Sequence, residues 1–600
     1  MGAPLNRNEI DAKYKWDLSA IYPTEADFEA DYKKIEGLIK VFPKHQNTIT
    51  QSAKELLAAL RDITAIEYTV EKLYEYAYLN FAVNMQDNKY QALTVRMRNL
   101  ISSLGEATWF VSPYLLKLDE ETLAKWFTEC PELESFRRTI EVNMRSKPHT
   151  LSDECEMLMS KLDDARGAAQ NIYQIFTNSD LTFGKIKDAE GKSVELTDTN
   201  YVSYLMSTER RVRQAAFRTL YKTYGQFGNT IATMFSANVK ERGTMAKARS
   251  YKDSITASTF HDEVTPEIYN NLINSVHKGL PALYDYYALK RDVLGVEKLH
   301  MYDLYAPLIG SLDRKYTYEE AVDEVLKTVK VFGEEYETAL RKGLTELGWV
   351  DVFPSRGKRG GAFSAGTSAT EPYMLLNFTE TFDDISTLAH EAGHSMHSWF
   401  STHYNEPHNS SYTIFVAEVA STVNELLLAH RKLRESTTND EKLYILNELM
   451  ETYKGTLYRQ TMFAEFERDM HALSEKGTPL TRDLICKHYY KLIKLYFGRD
   501  VACDKQISCE WMRIPHFYTS FYVYKYATCI SAASAIVKRI ETEGDAYVSK
   551  YIDFLKCGGS KSPLDSLLVA GIDMRDPDVV NGAIEDFASC VKEFREILGK

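Results

Sequence analysis

Glycine and proline are sparse in this chain, and that scarcity restricts its fold more than any other feature. There are 29 glycines and 16 prolines in 600 residues, and long stretches pass without either. Residues 54–110, 152–178, 205–250, 265–295, 317–348, 440–475 and 530–550 carry apolar side chains at helical spacing with charged residues between them. Each such stretch reads as a helix with one face on a core. Strand signals are few. "LTFGKIKDAEGKSVEL" (181–196) reads as a hairpin turning at Asp188–Gly191, and "EPYMLLNF" (371–378) as a β-prone edge strand. The expectation is a mainly α fold with a small sheet. The hairpin suggests a division into a helical N-terminal domain, 1–200, and a helical body, 201–600.

Composition narrows the function classes. Apolar residues make up 44% and charged residues 26%, as in a folded globular protein and not a disordered one. A formal charge of −13 argues against nucleic acid as the main partner, because a phosphate-binding face needs clustered Lys and Arg. The most basic short segment, "SRGKRGG" (355–361), reads as a mobile loop because of its glycines. Eight scattered cysteines without a C-x-x-C read as reduced thiols. The first 22 residues hold no apolar secretory core, and no segment reaches 18 uninterrupted apolar residues. These features together lead to the expectation of a cytoplasmic protein with no membrane span.

The chemistry concentrates in "TLAHEAGHSMHSWF", where His390, Glu391 and His394 form H-E-x-x-H. With 14 histidines, chance alone gives that pattern about 0.03 times per chain of this composition. Its surroundings are helical: Ile385, Leu388, Ala389, Ala392, Met396 and Trp399 make one apolar stripe, and Thr381 with Asp384 makes a capping box ahead of it. His390 and His394 then lie one turn apart on one face and can reach the same ion. Glu391 lies beside that face, suited to take a proton from a water at the metal. Gly393 removes side-chain bulk nearby.

A catalytic zinc wants a third protein ligand. His397 lies on the same face but about 7.5 Å along the axis from the level of residue 392, a long reach for imidazole, which suits a supporting or cleft-lining role better. Glu418 is the stronger candidate, because it interrupts the apolar run Ile414–Ala420, where a metal ion would satisfy the buried charge. Glu425, seven residues on, could accept from an imidazole N–H.

"HEAGHSMH" followed by "FVAEVAST" resembles the oligoendopeptidase F family of the thimet oligopeptidase superfamily. "KWDLSAIYP" (15–23), "RQTMFAEFE" (459–467) and "IPHFYTSFYVYKYAT" (514–528) extend the likeness over nearly the whole chain. The resemblance implies a largely helical ellipsoid with a deep internal cleft. It also implies one zinc ion held by His390, His394 and Glu418, Glu391 as base, and short peptides as substrates. Members carry a His and several Tyr from the last segment into the cleft, which here nominates His516, Tyr522 and Tyr524, with Tyr518 next, as donors to the oxyanion. The loop and strand 360–378 could pair with an extended substrate. The reading is a zinc endopeptidase of short oligopeptides. A metallocarboxypeptidase on the same scaffold, or a peptide-binding protein without catalysis, are the alternatives.

Overall fold

A computed structural model describes residues 5–310 and 314–599, and helices dominate it. The stretch at 54–110 forms the helices Ala53–Val83 and Asn88–Thr108, begun by Ser52 and Asp87, whose side chains accept backbone N–H groups of Glu55 and Lys89. The chain divides into two compact units, each assembled from three separated stretches. The first comprises Met1–Pro148, Asp313–Arg431 and Ile536–Ile572; the second comprises His149–Leu312, Lys432–Ala535 and Asp573–Lys600. This partition by packing differs from a continuous one at residue 200. The hairpin expected there forms between Lys185–Lys187 and Ser193–Glu195 and belongs to the second unit. No helix of the described residues is long and apolar enough to cross a membrane.

In the first unit, a three-stranded sheet is built from Val350–Asp351, Tyr373–Leu375 and Phe363–Ala365, in that order. The strand within 371–378 is therefore central and not an edge as the sequence suggested. It pairs on one side with a parallel partner only two residues long, too short to leave a periodic signal. The two outer strands are Val350–Asp351 and Phe363–Ala365. Alternation sets the two faces. Tyr373 and Leu375 join the core of Trp16, Phe28, Leu73 and Met97, with Phe363 and Ala365 packed against it. Ser364, opposite Met374, points the other way and bonds through its hydroxyl to Ser395 at 2.8 Å. Ser395 lies on the helix Phe382–Tyr404, so the sheet stands between the N-terminal helices and the H-E-x-x-H helix.

The basic segment 355–361 is not a free loop. Lys358 has a fully buried side chain, with Nζ 2.8 Å from the Asp351 carboxylate and donating to the carbonyls of Asp351 and Phe353. The Gly357 carbonyl accepts from Met85 N–H, and Arg359 N–H donates to Ala82, so the segment is tied to the end of Ala53–Val83. Glycine content signalled turns here, whereas the ammonium had found a buried partner. Lys358→Met should destabilise the protein by about 3 kcal/mol, because Asp351, 1% exposed, keeps only Arg7 as a cationic partner among the described residues. A urea unfolding midpoint equal to that of the parent chain would contradict this.

Candidate metal centre and tyrosine-rich segment

The helix Phe382–Tyr404 starts as its sequence requires. Thr381 accepts from Asp384 N–H, and Asp384 accepts from Thr381 N–H, forming the capping box. Ile385, Leu388, Ala389, Ala392 and Met396 are all buried, while Trp399 stays half-exposed and stacks on His403. The opposite side carries the histidines, and the helix Ile414–Glu435 supplies the carboxylates.

Three donor atoms converge. His390 Nε2 and His394 Nε2 lie 3.1 Å apart, and Glu418 Oε2 lies 3.4 Å from the first and 3.2 Å from the second. Ligands about 2.1 Å from a tetrahedral zinc stand roughly 3.4 Å from one another, so this trio is close to what that ion needs. Among the described residues, it is the group of three or more potential ligands found close enough to hold a metal. Glu425 Oε2 lies 3.3 Å from the other nitrogen of His390, which leaves Nε2 as the lone-pair side of the ring. Ser421 donates its hydroxyl to Glu418 Oε2 at 3.1 Å. Burial disfavours a charged His390, but Glu425 and Glu418 outweigh it and raise its pKa well above the ordinary value. Burial also works against ionised Glu418, and His390 and His394 outweigh it, holding its pKa far below the usual carboxylate range. The two shifts are two sides of one attraction between the imidazoles and the carboxylates.

Glu391 is 5% exposed, and its Oε2 has no hydrogen-bond partner among the described residues. Burial pushes its pKa up, against the pull of His390 and His394. A buried carboxylate oxygen with no partner is the kind of group that awaits water or substrate. His397 is 1% exposed and stands apart from the three ligands, its ring flat on Tyr412 at 3.7 Å and near Phe554 at 5.2 Å. It packs in the interior and lines no open surface, and burial drives its pKa down to about 3.

The spacing of the two helices depends on groups that sequence reasoning passed over or misread. A Cβ at Gly393 would stand 2.6 Å from the Ala420 carbonyl oxygen and 2.6 Å from Ser421 Cα, so glycine allows the backbones to meet. Buried Asn424 donates to the Ala389 carbonyl at 3.1 Å and shares hydrogen bonds with Tyr336. A lone amide within the apolar run after Glu418 was the available signal for it.

In the second unit, the segment 514–526 is not a single helix. A 3₁₀ turn, Pro515–Tyr518, is followed by Phe521 at φ +58° and then by a helix from Tyr524. His516 is exposed and Tyr522 half-exposed, with their rings 6.2 Å apart; Tyr526, which the sequence reading did not single out, joins them at 5.5 Å from Tyr522. Tyr524 is fully buried against Tyr269 and faces Asp262. Tyr518 is 2% exposed and stacks on Tyr173 at 4.2 Å.

Comparison with known proteins decides the family. Residues 203–585 match the model of peptidase family M3, and residues 115–183 match that of oligopeptidase F. The oligopeptidase PepF of Bacillus subtilis is 39% identical over 99% of this chain and 89% of its own length. The chain belongs to peptidase family M3. A crystal structure from Chlamydophila abortus shares 33% identity at a TM-score of 0.91, covering 99% of this chain and 100% of the other. That of oligoendopeptidase-F from Enterococcus faecium shares 34% at a TM-score of 0.76, covering 96% and 99%. The two M3 matches leave the hairpin between them. As an M3 member the chain is a metallopeptidase, and its three converging donors are close enough together to hold a metal ion.

Gly393→Ala should lower the unfolding midpoint by an amount equivalent to about 1–3 kcal/mol and weaken metal retention, because the added methyl separates the two ligand helices. Equal stability and equal metal content after dialysis would show that the helices can move apart freely.

Proposed function

We propose that this M3 peptidase is a zinc-dependent endopeptidase of short oligopeptides, with one ion per chain and Glu391 as general base. The observation that carries the proposal is the unpartnered, buried Glu391 carboxylate beside three donor atoms spaced for a tetrahedral ion. His390, His394 and Glu418 would hold the zinc, and Glu425 would orient His390. When bound, the ion polarises the scissile carbonyl and acidifies water. Glu391 takes the proton of the attacking water and returns it to the leaving amine, a role to which its raised pKa is suited. The outer strand Phe363–Ala365 would pair with an extended peptide through main-chain bonds, independently of side-chain identity. The relatives' names, oligopeptidase and oligoendopeptidase F, support short peptides as substrates. Eight free cysteines support a reducing, cytoplasmic location.

For the oxyanion, the second unit supports His516 and Tyr522, whose polar tips stay accessible. Tyr524 and Tyr518 fit a packing role, because both rings are buried. An accessible O–H aimed at the developing charge acts mainly in the transition state.

Glu391→Gln should retain zinc and fold while losing at least about a thousandfold in turnover of a quenched-fluorescent peptide. Turnover near that of the parent enzyme would remove Glu391 from its role. In parallel, Glu418→Ala should give up zinc on dialysis and His397→Ala should keep it; the reverse order would exchange their assignments.

A further inference from the structure

Phe521 carries a bulky side chain in the left-handed region, φ +58°, which such residues seldom adopt without an outside constraint. The constraint is on the helix Arg459–Glu475. Glu467, 0% exposed, accepts the Phe521 N–H at 3.0 Å through Oε1. One turn further on, buried His471 packs its ring 4.6 Å from that of Phe521, and Tyr269 closes the other side at 5.8 Å. Glu467 Oε2 and both His471 nitrogens have no hydrogen-bond partner among the described residues, so the Phe521 N–H is the group that Glu467 satisfies there and His471 serves by packing alone. What they do is grip one residue of the loop.

The position of that residue gives the grip its meaning. The turn after His516 ends with Thr519 N–H on the His516 carbonyl, and the chain then reverses at Phe521 before the next helix. Beyond Tyr522, Lys525 is fixed by Asp262 at 2.6 Å. Tyr522 thus hangs between two anchors, and the backbone angle at Phe521 sets its direction relative to His516. We infer that Glu467 is a positioning residue, which aims Tyr522 beside His516 by holding Phe521 in its left-handed conformation; the inference rests on the proposed role of Tyr522 at the oxyanion. Burial pushes the Glu467 carboxyl up to about 8, against the pull of the Phe521 N–H. At neutral pH it is therefore largely uncharged, and glutamine reproduces both its shape and its acceptor.

Steady-state kinetics of the zinc-loaded full chain test this with E467Q, E467L, E467D, Y522F and the double variant E467L/Y522F. E467L removes the acceptor and E467D withdraws it by one methylene. Both should lower kcat roughly ten- to a hundredfold with zinc content and KM little changed, since small misplacements of a transition-state donor act on kcat. E467Q should stay within about threefold of the parent. E467L/Y522F should be no slower than Y522F alone, because both changes disable one element. If E467L does not accumulate folded, E467D carries the same expectation. A parental kcat in E467L or E467D, E467Q as slow as E467L, or additive losses in the double variant would overturn the inference. A slow Y522F beside an undamaged E467L sinks the tether alone. A parental Y522F beside a slow E467L sinks Tyr522 as its target and as the oxyanion donor.

Discussion

The backbone contact at Gly393 governs the chemistry of the first unit. Two histidines one turn apart are a common helical arrangement. They become a three-donor site only because a second helix comes close enough to bring Glu418 Oε2 within 3.4 Å of both rings. Helices with ordinary side chains at the contact stand 8–10 Å apart. Here the glycine admits the Ala420–Ser421 backbone, and Asn424 secures the approach by donating to the Ala389 carbonyl. The sheet supports the same helix from another side through the Ser364–Ser395 bond. Glu391 is buried as a consequence, and its raised pKa follows from that burial.

Local patterns in the sequence were enough to locate this site. The capping box at Thr381, the apolar stripe behind His390, the charge at Glu418 within an apolar run and Glu425 seven residues on all involve neighbours on one helix. Contacts distant in sequence were not legible in that way. Gly393 was read as room for a metal when it makes room for a backbone. The two-residue strand Val350–Asp351 left no periodicity, so its partner passed for an edge. Lys358 looked mobile because nothing nearby in sequence shows that Asp351 is buried beside it. In the tyrosine-rich segment, counting by helical period fails at Phe521. One residue with positive φ changes which of the following side chains face inward, and Tyr524 turns to the core while Tyr522 does not.

Both units keep an ionisable group under strain. Glu391 in the first and Glu467 in the second each hold a buried carboxyl oxygen without a partner among the described residues, at a cost to stability of order 1–3 kcal/mol apiece. Replacing Glu391 by an apolar residue of similar size would be expected to stabilise the fold, whereas the same change at Glu467 would also strip the buried Phe521 N–H of its acceptor.

The central claim is that two imidazoles and one carboxylate hold the ion. Zinc-edge X-ray absorption of the purified protein tests it directly. The account predicts two imidazole nitrogens and oxygen ligands, all at about 2.0–2.2 Å, with the carboxylate oxygen supplied by Glu418. A third imidazole, a sulfur at about 2.3 Å, or a protein that takes up no zinc would contradict it.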